Sequence, residues 1–321
     1  MTTLDRIKHN IAPDIERLNA LIHERLSSDS PLMSTVIDSY LTTKGKQIRP
    51  IVVMLCAKST SEITPKVLEA AAAVELLHNA SLIHDDVIDE SKLRRDVPTL
   101  NAVWDNHIAV LVGDYFVSTA LQLAISSADM RIVDEIGRLG RMLSLGEIDQ
   151  IYNARTHSLT EDAYFKIISY KTASLFVACA RVGCYAVNAD DDVTDSLARI
   201  AELLGLCFQI RDDIFDYYAP DGIGKPTGND LREGKITLPL LHVLLDNTLP
   251  DHEKMNELAS REQLSDRDIE ILYAYARQHG GIDYSYEVMT ELRERAAQIA
   301  KHAPGASELM ELFDYIIARN N

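Results

Sequence analysis

The sequence predicts an all-α protein. Long runs of strong helix formers continue without a break, only 14 Gly and 10 Pro occur among 321 residues, and strand signals are scarce. The clearest run extends from Lys66 to Asp89 with no Gly or Pro. Similar patterns cover residues 107–127, 130–155, 161–187, 192–218 and 235–246, then 264–279 and 281–302. Thr64-Pro65 opens one helix with Pro in its first turn, Val97-Pro98 lies in a loop, and Pro220-Asp221-Gly222 ends another helix. No linker, low-complexity run or internal repeat cuts the chain. Residues 1–321 therefore read as a single domain of long, mostly antiparallel helices around a central cavity.

Composition narrows the function. A net charge of -17 disfavours binding to nucleic acid, whose phosphates are met by clustered Lys and Arg. Cys56, Cys179, Cys184 and Cys207 lack paired Cys-x-x-Cys spacing and sit in apolar segments, which reads as core thiols in a reducing cytoplasm. The first ten residues have no apolar core of a signal peptide, and no 18-residue apolar span is expected anywhere.

Two acidic clusters of one form stand 127 positions apart: Asp85-Asp86-Val87-Ile88-Asp89 and Asp212-Asp213-Ile214-Phe215-Asp216. On a helix the first and last Asp of each lie one turn apart, and like charges there cost about 0.2–0.5 kcal/mol per pair. A cation would compensate. Carboxylates suit Mg²⁺, which keeps waters and substrate phosphates in its remaining positions. A solvated acidic face is the plain alternative for either cluster alone. The apolar neighbours Leu82, Ile83, Val87 and Ile88, and Phe208, Ile210, Ile214 and Phe215, predict instead that both helices are largely buried.

Basic residues accompany the first cluster. Arg94-Arg95 follows it closely enough for a turn to bring guanidinium groups back, and Arg matches phosphate oxygens bidentately. Upstream stand Gly45-Lys46-Gln47-Ile48-Arg49-Pro50 and His78. Lys46 and Arg49 could be ordinary surface charges and His78 a satisfied core histidine. Together they describe two anion sites, one bridged by metal and one held directly by cations.

At this point the chain resembles the trans-isoprenyl diphosphate synthases, or polyprenyl synthetases, over most of its length. The resemblance rests on an ordered series: Gly45 to Pro50, Leu82 to Asp89 with Arg94-Arg95, Gly146-Glu147, Lys171-Thr172, Phe208 to Asp216, and Gly224 to Lys235. Asp96 departs from it where Gly is frequent, and Asn79 where Thr is more usual in long-chain members.

The resemblance implies the isoprenoid synthase fold and a role for each matching position. Asp85, Asp89 and Asp212 bind about three Mg²⁺ ions, or Mn²⁺ in their place, that grip an allylic diphosphate, with Asp86, Asp213 and Asp216 supporting those sites. Arg94, Lys171, Lys225 and Lys235 contact the same diphosphate. Gly45, Lys46, Arg49, His78 and Arg95 form the pocket for isopentenyl diphosphate. Thr172, Gln209 and the carbonyl of Lys171 turn dipoles toward an allylic cation, although helix capping would also explain a buried Thr or Gln.

Product length depends on the helix before Asp85. Ala80 and Ser81 are small where short-chain members place an aromatic plug, so the tunnel floor moves deeper. Leu77 and Phe116 are candidate floor residues. A helical turn rises about 5.4 Å, near one isoprene unit, and a product of about C35 to C50 for quinone side chains is expected. A short-chain farnesyl or geranylgeranyl diphosphate synthase, or a non-catalytic partner subunit, is the competing expectation. A class I terpene cyclase fits less well, because the second Asp-rich cluster and the isopentenyl site are both present. The resemblance further implies a homodimer and a peripheral membrane contact through the product.

Overall fold

The computed structural model describes residues 2–42, 45–94, 97–156, 160–218, 228–261 and 263–318. These residues form an all-α fold, and the only strands among them are Leu93–Arg94 and Val97–Pro98. Those two dipeptides pair antiparallel, Arg94 opposite Val97, where the sequence predicts loop. The chain divides into two compact units, each assembled from three separate stretches.

The first unit comprises residues 1–141, 175–201 and 300–312. At its centre is the Pro65–Ile88 helix, opened as expected by Thr64, whose hydroxyl accepts from the Val67 amide, with Pro65 in the first turn. It buries Val67, Leu68, Ala70 to Ala73, Val74, Leu76, Leu77, Ala80 and Ile83. The run of alanines lets neighbouring helices approach closely. At Gly113, on the Asn106–Ser126 helix, a Cβ would lie 2.2 Å from the His84 ring, and at Gly183 one would lie 2.4 Å from the Val53 carbonyl oxygen. A side chain at Gly183 would push the backbones apart, and one at Gly113 would displace the His84 ring.

The unit also contains helices that the sequence periodicity did not single out: Thr3–Asn10, Ala12–Leu26, Pro31–Thr42 and Ile48–Lys58 near the N-terminus, and the part of Ala306–Ala318 up to residue 312. The first is held by a capping box between Thr2 and Asp5, a side-chain device that supplies little apolar period to read.

One polar staple joins the start of the central helix to the turn before the Met130–Thr156 helix. Asp129 accepts from Lys66 Nζ at 2.9 Å and from Arg131 Nε and NH2 at 3.0 and 2.8 Å. The hydrogen bonds from Arg131 lead in holding its carboxyl well below the usual range. A depressed pKa contributes stability that is full above the unfolded value near 4 and is lost progressively as the pH falls from there through the lower folded value. Asp129→Ala is expected to cost about 1–2 kcal/mol in urea unfolding at pH 7, and the difference from the parent should shrink below pH 4.

The second unit comprises residues 142–174, 202–299 and 313–321. Its Leu238–Leu245 helix is apolar on nearly every side, burying Leu238, Leu240, Leu241, Val243 and Leu244. The Gly281–Ala300 helix packs so tightly on it that a Cβ at Gly281 would fall 2.0 Å from the Pro239 carbonyl oxygen. Between Glu161–Ile168 and Ser174–Ala186 the chain is not α-helical throughout: Ser169–Ala173 forms a π turn.

Two further expectations are corrected. Two helical stretches, Asn106–Ser126 and Glu161–Ala186, are long and apolar enough to cross a membrane by length and composition, with mean hydropathy 1.7 and 1.2. Val112, Phe116 and Leu123 of the first and Leu175 and Phe176 of the second are core residues, whereas Val110, Leu111, Leu121 and Ile125 of the first are exposed. Nor is the first acidic cluster buried on all sides, because Ile88 is 51% exposed. All four cysteines are buried free thiols, and burial pushes Cys184 up to about 11 and Cys207 up to about 12.

Candidate active site

Both acidic clusters lie at helix C-termini. The Pro65–Ile88 helix ends with Asp89 as its cap, and the Asp191–Phe215 helix ends one residue before Asp216. A helix C-terminus carries the negative end of the backbone dipole, so three carboxylates there raise the negative potential that a cation must answer.

In the first unit the turn after the helix brings Arg94 back, as the sequence predicts. Its Nε donates to both oxygens of Asp86 at 2.9 and 3.1 Å, and its NH2 lies 2.8 Å from Oδ1. Asp86 is buried, whereas Asp85 is half-buried and Asp89 exposed. The loop beyond is fastened by Asn101, whose Nδ2 donates to the carbonyls of Asp86 and Ser91. Arg95 and Asp96 lie outside the described residues.

Lys46 is exposed just before the Ile48–Lys58 helix, and Gln47 adopts a left-handed conformation while donating to Asn19. Gly45 and Arg49 are half-buried, and the Arg49 guanidinium stands 5.9 Å above the Phe176 ring. His78 is buried on the central helix. Asn79 accepts from the Tyr40 hydroxyl at 3.0 Å and donates to the Glu75 carbonyl. Among the chain-length candidates, Ala80 and Phe116 are fully buried, Leu77 faces Gly140, and Ser81 is half-buried with its hydroxyl on the His78 carbonyl. Phe116 meets Tyr40 edge to face, with ring centroids 5.4 Å apart.

In the second unit a cavity of about 210 Å³ gathers Lys171, Thr172, Gln209, Asp213 and Lys235 with Tyr164, Gln150 and Asp230. The π turn carries Lys171 and Thr172, and such turns occur often at functional positions. Gly146 permits the close approach: a Cβ there would lie 2.6 Å from Lys171 Cγ and 3.1 Å from its backbone nitrogen. Lys171 donates to Glu147 and to Gln150 Oε1, while Lys235 pairs with Glu233. Thr172 donates to Gln209 Oε1 at 2.7 Å, Gln209 Nε2 donates to Asp213 Oδ1 at 2.8 Å, and Tyr164 donates to Asp213 Oδ2 at 2.6 Å.

Burial pushes the Asp213 carboxyl up to about 7, against the pull of the Tyr164 and Gln209 hydrogen bonds, with Asp212 and Asp216 adding to the rise. Burial likewise raises Asp230 well above the carboxylate range, reinforced by Asp213 and Asp216. Asp216 accepts from the Tyr273 hydroxyl at 2.5 Å and from the amides of Asn229 and Asp230. It thus anchors the short Asn229–Arg232 helix that leads to Lys235. Asp212 is half-buried. Lys225 lies outside the described residues.

A model of the family described as polyprenyl synthetase matches residues 30–276. The chain belongs to that family. This polyprenyl synthetase is a prenyltransferase of the trans-prenyl diphosphate synthases, a group whose long-chain members are among its relatives. It is 34% identical to an all-trans-nonaprenyl-diphosphate synthase (geranyl-diphosphate specific) of Rhodobacter capsulatus, over 92% of this chain and 90% of the other. The structure of a decaprenyl diphosphate synthase from the same organism superposes with TM-score 0.91 at 33% identity, covering 99% of both chains. A geranylgeranyl pyrophosphate synthase from Bacteroides thetaiotaomicron gives TM-score 0.84, also at 33% identity and 99% coverage of each. Enzymes of the family take isopentenyl diphosphate and an allylic diphosphate, and are generally metal-dependent.

The donor set of this polyprenyl synthetase fits Mg²⁺. Among the described residues no three His, Cys, Asp or Glu side chains gather into a cage that could hold a metal alone. Mg²⁺ seldom needs one, since a carboxylate or two with water and substrate phosphate complete its octahedron.

Tyr164, Glu147, Gln150, Asp230 and Tyr273 were not assigned roles from the sequence. Glu147 and Asp230 stand inside motifs already quoted. Tyr164 gave no signal because its partnership depends on the π turn, and Tyr273 because its partner Asp216 is distant in sequence.

Proposed function

We propose that this prenyltransferase condenses isopentenyl diphosphate repeatedly with an allylic diphosphate to give an all-trans product of about C35 to C50. The observation that carries the length is the pair Ala80 and Ser81: neither can plug a channel along the helix before Asp85. The nonaprenyl and decaprenyl relatives support the same reading.

Asp85 and Asp89 in the first unit, and Asp212 in the second, would hold Mg²⁺, which when bound would supply charge neutralisation for the departing diphosphate. Arg94, Lys171, Lys225 and Lys235 hold that diphosphate as the allylic carbon–oxygen bond breaks and its electron pair leaves with oxygen. Gly45, Lys46, Arg49, His78 and Arg95 orient isopentenyl diphosphate so that its double bond attacks the cationic carbon. The proton then lost from the new unit passes to the released diphosphate, so no side chain need act as nucleophile. Thr172 and Gln209 turn oxygen lone pairs toward the cation without reacting with it.

The enzyme acts in the cytoplasm as a homodimer, touching the membrane only through its product. Val110, Leu111, Leu121 and Ile125 on one helix are exposed apolar residues that suit a second copy.

A short-chain synthase is the second reading. It is favoured by the geranylgeranyl pyrophosphate synthase likeness and by Phe116, a large ring beside the same helix. Incubation with Mg²⁺, labelled isopentenyl diphosphate and farnesyl diphosphate, followed by sizing of the dephosphorylated products, separates the two. Products longer than about C25 are expected. Termination at about C15 to C20 from shorter starters favours the second reading, and no incorporation with any starter favours a non-catalytic partner subunit.

A further inference from the structure

We propose that Tyr164 and Asp213 are positioning residues that fix the direction of the Thr172 dipole, and that Asp213 serves this purpose in place of holding metal. The inference rests on the prenyl-transfer reading and names two residues that tune its cation site.

The four side chains form one hydrogen-bonded line, Tyr164 to Asp213 to Gln209 to Thr172. With Asp213 ionised both its oxygens accept, so Gln209 presents its amide NH2 to Oδ1. Its carbonyl then faces Thr172, and because that oxygen only accepts, it takes the Thr172 hydroxyl proton. What Thr172 Oγ1 retains is lone pairs, and Thr172 lines the cavity. With the Gln209 amide turned over, Thr172 would become the acceptor and its proton would be released toward the cavity. A fixed dipole matters most where charge develops, and here the sign of that dipole depends on one carboxylate two bonds away.

Tyr164 fixes the carboxylate. Asp213 is 4% exposed, and its two oxygens are each held by one donor, Tyr164 on Oδ2 and Gln209 on Oδ1. Removing the Tyr164 hydroxyl leaves a buried oxygen unpaired and frees the carboxylate to rotate, so both amide orientations become accessible. Both Asp213 oxygens are already engaged by these donors, whereas Asp212 beside it is half-buried and lies about 100° around the helix.

Local structure explains how the line is assembled. Gln209 and Asp213 are four apart on one helix and share a face. Tyr164 and Thr172 are eight apart, which in a regular α-helix separates them by about 80°. The π turn Ser169–Ala173 lies between them and takes up about one residue, which reduces the separation to about 20° and brings both onto the face that meets Gln209 and Asp213.

The test compares binding of two unreactive analogues of equal chain length: an allylic thiolodiphosphate, which is neutral at carbon, and a prenyl diphosphate with a protonated amine where the cation would develop. The parent is expected to prefer the cationic analogue, and Tyr164→Phe and Asp213→Asn should each reduce that preference by about tenfold. In turnover, kcat should fall by about the same factor while KM for isopentenyl diphosphate and the half-saturating Mg²⁺ concentration stay unchanged. Asp212→Ala, by contrast, should raise the Mg²⁺ requirement. An unchanged preference in Tyr164→Phe overturns the inference even if Asp213→Asn does not fold. A raised Mg²⁺ requirement in Asp213→Asn with the preference intact returns that residue to the metal set. A parent that condenses normally while Tyr164→Phe is indistinguishable from it refutes the inference alone; a parent that binds neither analogue and condenses nothing refutes the prenyl-transfer reading with it.

Discussion

Asp85→Ala is expected to lower turnover by about a thousandfold or more at saturating Mg²⁺, equivalent to ~4 kcal/mol of transition-state stabilisation. Asp86 pairs with Arg94, and the proposed reading gives the metal-binding work of the first cluster to Asp85 and to Asp89 one turn later. On that reading, loss of the Asp85 carboxylate weakens the hold on the cation that neutralises the departing diphosphate, and Asp89 alone does not replace it. Folding should be little affected. Asp85 is half-buried and stands in the last turn of its helix, where a negative charge opposes the backbone dipole. Without Mg²⁺ the variant should therefore melt at the parent's temperature or slightly above it. Single-turnover assays with an allylic diphosphate and circular-dichroism melting measure the two quantities. A variant within tenfold of the parent would remove Asp85 from the metal site.

Much of this was legible before the structure because it depends on local pattern. The helix from Thr64-Pro65 to the first acidic cluster is written in its cap, its alanine run and its lack of Gly or Pro, and its observed bounds differ from the expected ones by a residue or two. The return of Arg94 to the cluster follows from a short connection of fixed length. The same kind of reading failed where partners are remote or the backbone departs from regular helix. A stretch expected as one helix over 161–187 contains a π turn, and the five residues Ser169–Ala173 carry the Lys and Thr of the site. Nothing in their side chains marks the wider turn.

The third Asp of the second cluster illustrates the other limit. Spacing alone makes Asp212 and Asp216 equivalent to Asp85 and Asp89. The fold makes Asp216 the anchor of the Asn229–Arg232 turn and the acceptor of the Tyr273 hydroxyl, partners 13 and 57 residues away. Identical motifs thus acquire different hydrogen-bond partners through contacts that periodicity does not encode. The small residues that let helices touch, such as Gly146 against Lys171 and Gly113 against His84, are similarly silent until the neighbouring helix is known.

Ser81→Phe is expected to change the product more than any substitution outside the metal site, from about C35 to C50 down to about C15 to C20. Ser81 stands one turn before Asp85, so its Cα lies about 6 Å along the helix axis from that carboxylate, close to the length of one isoprene unit. Its hydroxyl turns back to the His78 carbonyl, an interaction that adds little to the helix and leaves the position half-open. A benzyl group there would block a growing chain after its first additions while leaving the diphosphate site, one turn away, intact. The first condensation should therefore proceed within a few-fold of the parent rate, and only later ones should stop. Ala80→Phe would be a poorer test, because Ala80 is fully buried and an added ring would cost about 1–3 kcal/mol in overpacking. Product sizing beside the single-addition rate distinguishes a blocked channel from a damaged site. Short products made at a normal first rate mean that the chain grows along this face of the helix. Unchanged long products would mean that it grows elsewhere, and Leu77 and Phe116 would lose their standing as the floor.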